Sequence, residues 1–157
     1  VGDHDLIRPA LEAWGARIDF WRVAIKPGKP LLVATRETAA TGKRQLVIGL
    51  PGNPVSSHVT AYLFLLPVLR ALLGAANPLP RRVATRLAAP LRPSGARREF
   101  LRATWDGASV SPQANQDSAA LSALAGSNAL IDRPARARAC EPGDAVDVYL
   151  LENGGIA

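Results

Sequence analysis

Methionine is absent from this 157-residue chain, cysteine occurs once and histidine twice. The single thiol, Cys140, excludes an internal disulfide framework and any cysteine-rich metal centre. A chain without cysteine pairs reads most simply as a protein of a reducing, cytoplasmic setting. His4 and His58 have no second histidine or cysteine at ligand spacing, so neither marks a metal site. Aromatic residues make up only 5% of the chain. No stacking platform is visible, and no zinc-finger, RRM or KH pattern occurs, which argues against nucleic acid as a partner. No uninterrupted run of about 18 apolar residues exists, which excludes an ordinary membrane-spanning helix and predicts no membrane partner. The N-terminal stretch carries Asp3, Asp5, Glu12 and Asp19 and lacks the basic start and apolar run of a signal peptide. A start at Val1 fits either removal of an initiator methionine or excision from a longer chain.

What is present is a globular, basic composition. The chain is 48% hydrophobic and 20% charged, which places it outside the disordered and fibrous classes. Its length allows one domain of ordinary size or two small ones. Nineteen basic against 13 acidic side chains give a formal charge of +6. That charge attracts anions at long range without choosing among them.

Hydrophobic spacing predicts a helix over residues 3–15, capped by Asp3 or Asp5 and closed by Gly15. A strand over 17–25 runs into the rigid basic turn Lys26-Pro27-Gly28-Lys29-Pro30. Strands over 31–35 and 45–50 flank a hairpin turn at Thr41-Gly42-Lys43. A short buried strand over 47–50, the turn Pro51-Gly52-Asn53-Pro54 and a long helix over 55–73 follow. Asn53 is a good N-cap, Pro54 a good first helical residue, and Pro67 should kink or restart the helix. Strand, turn and helix in this order indicate an α/β layered domain. Residues 77–82 then form a polar, proline-rich hinge. Beyond it come strands over 83–87, 99–105, 108–111, 129–132 and 146–151, with a helix over 118–125. The division is thus 1–76 for the α/β part and 83–157 for a small β-rich module.

Three groups of residues could carry chemistry. The turn containing Pro51, Gly52, Asn53 and Ser56 opens a helix whose free N–H groups suit an anion, although a plain capped helix start suits the same residues. Arg22, Lys26 and Lys29 concentrate charge around a turn stiffened by prolines, which loses little entropy on binding an oxyanion; a solvated charged turn is the bland alternative. Asp3 and Asp5 could share magnesium with a phosphate or serve merely as helix caps. The arginines of the stretch 81–102 read as a solvated surface.

The strings Val1-Gly2-Asp3-His4-Asp5, Phe20-Trp21-Arg22-Val23-Ala24-Ile25-Lys26-Pro27-Gly28-Lys29-Pro30 and Gly49-Leu50-Pro51-Gly52-Asn53-Pro54-Val55-Ser56 occur in that order. Together they resemble the molybdopterin molybdenumtransferases of MoeA type, a family that includes the catalytic domain of gephyrin. Asn115-Gln116-Asp117-Ser118 and Pro142-Gly143-Asp144 look like that family's C-terminal module. The resemblance implies the last part of a molybdopterin-binding three-layer α/β domain, followed by a small barrel-like β domain. It also implies a C-terminal fragment, inactive alone, of a longer homodimeric enzyme. Such an enzyme inserts molybdenum from molybdate into adenylylated molybdopterin with magnesium. Carried over by motif, Asp5 matches a catalytic, metal-near aspartate. Lys26 matches a catalytic anion-holding position, while Arg22, Lys29, Pro51, Gly52, Asn53 and Ser56 fall at substrate and phosphate positions. Arg22 replaces the lysine common in the family, and Asp117 stands where glycine is frequent. A non-catalytic molybdopterin-binding or assembly module is the competing expectation.

Overall fold

A computed structural model describes residues 6–38, 41–117 and 121–151. Asp3, His4 and Asp5 therefore lie outside the described residues, and so does the start of the helix expected at 118. The first helix, α1 (Ile7–Ala13), is shorter than its apolar spacing suggests and has no side-chain cap at Leu6.

The following strands are β1 (Arg17–Trp21), the two-residue β2 (Ile25–Lys26), β3 (Leu32–Glu37) and β4 (Arg44–Gly49). β1, β3 and β4 form a three-stranded antiparallel sheet with β3 in the middle. The expectation of a buried strand at 47–50 needs correction. β4 has a neighbour on one side only, and Val47, Ile48 and Gly49 are only partly buried. The hairpin turn at 41–43 is as read: the Thr38 hydroxyl donates to the Lys43 carbonyl at 2.7 Å, and Glu37 faces Arg44.

The long helix falls into three pieces. α2 (Pro54–Thr60) begins on Asn53, whose Oδ1 accepts the Ser56 N–H at 3.1 Å. A π-helical turn over Ala61–Leu65 follows, and α3 (Leu66–Leu72) carries Pro67 in its first turn. Pro67 has no N–H and its ring crowds the carbonyl four residues back, so the wider turn upstream relieves both. Gly74 ends the helix at φ +83°: its N–H donates to the Ala71 carbonyl and that of Ala75 to the Arg70 carbonyl. Against the expectation from uninterrupted runs, the 19-residue stretch Pro54–Leu72 is long and apolar enough to cross a membrane by length and composition. Serines, a threonine and a histidine break the run without lowering its average much. Buried residues on this helix include Val59 and Tyr62, which join Ile25, Phe100 and Leu130 in one apolar cluster.

The second half contains β5 (Arg82–Leu87), β6 (Arg98–Trp105), β7 (Ser109–Pro112), α4 (Leu121–Ala125), β8 (Ala129–Arg133) and β9 (Ala145–Leu150). Its strands run β6-β7-β5-β9-β8, and β8 pairs back onto β6, closing a five-stranded barrel. Alternation sorts side chains to the two faces. Leu87, Val110, Ile131 and Val148 fill the interior at 2% exposure or less. Phe100 and Leu130 point outward, onto the helix of the first half.

β2 connects the two halves directly. It pairs in parallel with β6, Ile25 facing Arg98 and Lys26 facing Glu99. The Tyr62 hydroxyl also donates to the carbonyl of Leu150. Backbone pairing and apolar packing therefore join elements on either side of residues 77–82.

Candidate functional site: a cationic cleft beside the barrel

The basic turn is closed at its base by two main-chain bonds. The Arg22 N–H donates to the Leu31 carbonyl and the Val23 N–H to the Lys29 carbonyl, both at 2.9 Å. Between them the Lys26–Pro27 peptide is cis and Gly28 has φ +108°. A Cβ on Gly28 would lie 2.4 Å from Cγ2 of Thr60, so only glycine lets the turn settle onto α2. Thr60 is itself fixed, its hydroxyl donating to the Ser56 carbonyl at 2.8 Å.

A cleft of about 490 Å³ opens between this turn, Ser56 at the start of α2, and the outer face of β6. Lys26 and Lys29 both line it. The Lys26 ammonium stands 3.5 Å from Glu99 Oε1 and remains about half exposed. Ser56 also lines the cleft and is 7% exposed. Asn53 engages its side chain in the helix cap, while Pro51 is buried and Gly52 exposed. Neither these three nor Arg22 is among the lining residues. The Arg22 guanidinium instead stacks 3.9 Å above the Trp21 ring, from a backbone at φ +75°. Asp5 lies outside the described residues.

The opposite wall belongs to residues that local pattern did not single out. Arg97 lines the cleft and donates to the Ile25 carbonyl at 3.3 Å. Arg102, expected to be solvated with its neighbours, is 2% exposed and is the largest fully buried side chain among the described residues. The reason is alternation along β6: Arg98, Phe100 and Arg102 share the face turned toward the first half. Burial holds the Arg102 guanidinium below its ordinary pKa, while the charge of Asp117 acts against that shift. Its Nη2 donates to the carbonyls of Asn115 at 3.2 Å and Asp117 at 2.9 Å. Arg98, on the same face but outside the cleft lining, chelates the buried Asp132 carboxylate, Nε to Oδ1 at 2.6 Å, which raises the Arg98 pKa. The signal for Arg102 lay in the strand period, with a charge where an outward apolar residue would stand.

Chemically, the cleft can grip an oxyanion. Its cations converge on one space, and the Ser56 side chain adds a neutral hydrogen-bonding group. Among the described residues, no group of three or more His, Cys, Asp or Glu side chains could hold a metal ion.

Two family models account for most of the chain. One, described as a probable molybdopterin binding domain, matches residues 1–71, and the other, the MoeA C-terminal region (domain IV), matches residues 84–151. The chain belongs to the MoeA-type family. Among its relatives is the molybdenum cofactor synthesis protein cinnamon of Drosophila melanogaster, 36% identical over 87% of this chain and 22% of that protein. The molybdopterin molybdenumtransferase of Staphylococcus aureus is 31% identical over 98% of this chain and 36% of its own length. A solved structure, the molybdopterin biosynthesis moea protein from Pyrococcus horikosii, superimposes with a TM-score of 0.77 at 25% identity. It covers 96% of this chain and 36% of that one. The chain thus spans about a fifth to a third of these MoeA-type relatives. Its mixed α/β half and small β barrel fit the architecture that the MoeA-type resemblance implies.

Proposed function

We propose that this chain supplies the cleft-bearing C-terminal part of a molybdopterin molybdenumtransferase. The reaction is insertion of molybdenum, delivered as molybdate, into adenylylated molybdopterin. The observation that carries this reading is the convergence of Lys26, Lys29, Arg97 and Arg102 on one cleft between the two halves. Both substrates are oxyanions. Binding them side by side needs fixed positive charge and orientation more than a nucleophile. Lys26 and Lys29 present point charges from a braced turn, and Arg102 offers a guanidinium held by main-chain carbonyls. Burial makes that last charge act through a medium that screens it weakly.

Magnesium belongs to the family expectation, but the described residues do not form a site for it. Glu99 faces the Lys26 ammonium, Asp132 is chelated by Arg98, and Asp117 interacts with Arg102. No step is therefore assigned to a metal here.

A chimera tests the proposal. This chain would replace the aligned segment of the Staphylococcus aureus enzyme, and molybdenum insertion into adenylylated molybdopterin would be assayed. Turnover that disappears with Lys26→Ala supports a transferase. A folded chimera that binds the pterin without inserting metal would favour a binding or assembly module instead.

A further inference from the structure

Along one edge of β6 the barrel wall has a gap. β2 pairs with β6 at Arg98 and Glu99, and β7 pairs with it from Ala103 to Trp105. Between them the main chain of Arg102 meets a side chain instead of a strand. Its N–H donates to Gln116 Oε1 at 3.0 Å, and its carbonyl accepts from Gln116 Nε2 at 2.8 Å. The same Nε2 donates to the Gln113 carbonyl at 2.9 Å, and the Gln113 N–H donates to the Arg102 carbonyl at 2.8 Å. One amide thus reproduces the two-way hydrogen bonding of a paired strand and ties the segment 113–117 to β6.

The segment so held is the wall of the cleft around Arg102. Gln116 and Asp117 line the space, and the carbonyls of Asn115 and Asp117 accept from the Arg102 guanidinium. Asn115 Oδ1 accepts the Asp117 N–H at 2.8 Å, fixing the turn between those two carbonyls. A buried guanidinium stays in place only while its donors are satisfied. If the segment drifts, Arg102 loses two acceptors and its reason to remain at the wall.

We propose that Gln116 is a positioning residue of this cleft, holding the segment 113–117 and, through it, the Arg102 guanidinium at the place where a bound oxyanion meets it. This rests on the reading of the cleft as an anion site. It adds to that reading that anion affinity depends on a neutral amide outside the cationic set.

Isothermal titration of the whole chain with pyrophosphate tests the idea, using wild type, Gln116→Ala, the volume-conserving Gln116→Met, and Lys26→Ala. Both Gln116 variants should bind about tenfold more weakly, as expected for losing the hydrogen bonds that hold one charged contact. Amide exchange should accelerate at residues 115–117 and stay unchanged in β8. A purely structural role would lower the melting temperature without changing the affinity of the folded protein. If the Gln116 variants bind like wild type while Lys26→Ala binds weakly, the positioning role fails and the anion cleft stands. If wild type does not bind pyrophosphate, the cleft reading fails and this inference with it.

Discussion

The barrel and the α/β half handle apolar surface in opposite ways. In the barrel, closure gives every strand two neighbours and hides Val110, Ile131 and Val148 completely. In the α/β half, a three-stranded sheet keeps two open edges, and Leu6, Ile7, Leu72 and Leu73 are each more than half exposed. Its apolar clusters are a small one at Ala16, Leu32 and Ala34 and the one shared with Phe100 and Leu130. A closed sheet therefore carries its own core, whereas the open half relies on the outer face of the barrel for much of its burial. The cleft lies at that contact, which is why its walls come from both halves.

The comparison can be broken most easily in the barrel interior. Ile131→Ala should cost about 2–5 kcal/mol in chemical denaturation, the usual price of a fully buried aliphatic side chain. Leu72→Ala, at a site 74% exposed, should stay within about ±0.5 kcal/mol. Equal losses at the two positions would contradict the contrast. Next in size is the contact of the basic turn with α2. Gly28→Ala should destabilise by about 2–4 kcal/mol, combining a left-handed backbone with overpacking against Thr60. A change below half a kcal/mol would show that the turn does not press on the helix.

Binding sharpens the comparison at the cleft itself. Lys26→Ala should weaken pyrophosphate binding by about 1.5–3 kcal/mol, roughly 10- to 150-fold, with little change in melting. Lys43→Ala, in the exposed β3–β4 turn, is the control and should bind as wild type. Identical affinities in the two variants would remove Lys26 from the site.

The smallest effect is a pH dependence in the barrel. Asp106 is held below its ordinary carboxylate value by the N–H of Ser109, then that of Ala108, then the Ser109 hydroxyl. A depressed folded pKa adds stability above the unfolded value near 3.8 and loses it as pH falls through the folded one. Asp106→Asn should therefore be less stable than wild type at pH 7, with the deficit shrinking toward pH 3. Urea midpoints at the two pH values measure this, and a deficit constant with pH would reject it.

Much of the local structure was legible before any coordinates. The hairpin at residues 41–43, the Asn53 cap, the interruption near Pro67 and the second-half strands all follow from residue chemistry within a few positions of each element. Cap identity was legible because a side-chain oxygen reaches only the first turn. The extent of α1 was not, because its ends depend on contacts beyond its own spacing. For the site, Lys26 and Lys29 were visible as a braced cationic turn. Arg22 carried the same signal, yet its guanidinium rests on Trp21, an orientation that composition does not encode. Arg97, Arg102 and Gln116 were hidden because they reach the turn through strand pairing across some seventy residues of sequence, Ile25 to Arg98.

The sequence by itself determined the turn chemistry, the strand periods, the basic charge and the ordered motifs that mark the MoeA-type family. These are short-range properties, written in the spacing of prolines, glycines and apolar residues. Only the tertiary structure decided that β2 joins the barrel, that Arg102 is buried among carbonyls, and that one glutamine amide bridges a gap between strands. Those outcomes depend on which outward face of β6 meets which helix. Such a pairing is chosen by the shape and burial of the whole molecule, and no local window contains both partners.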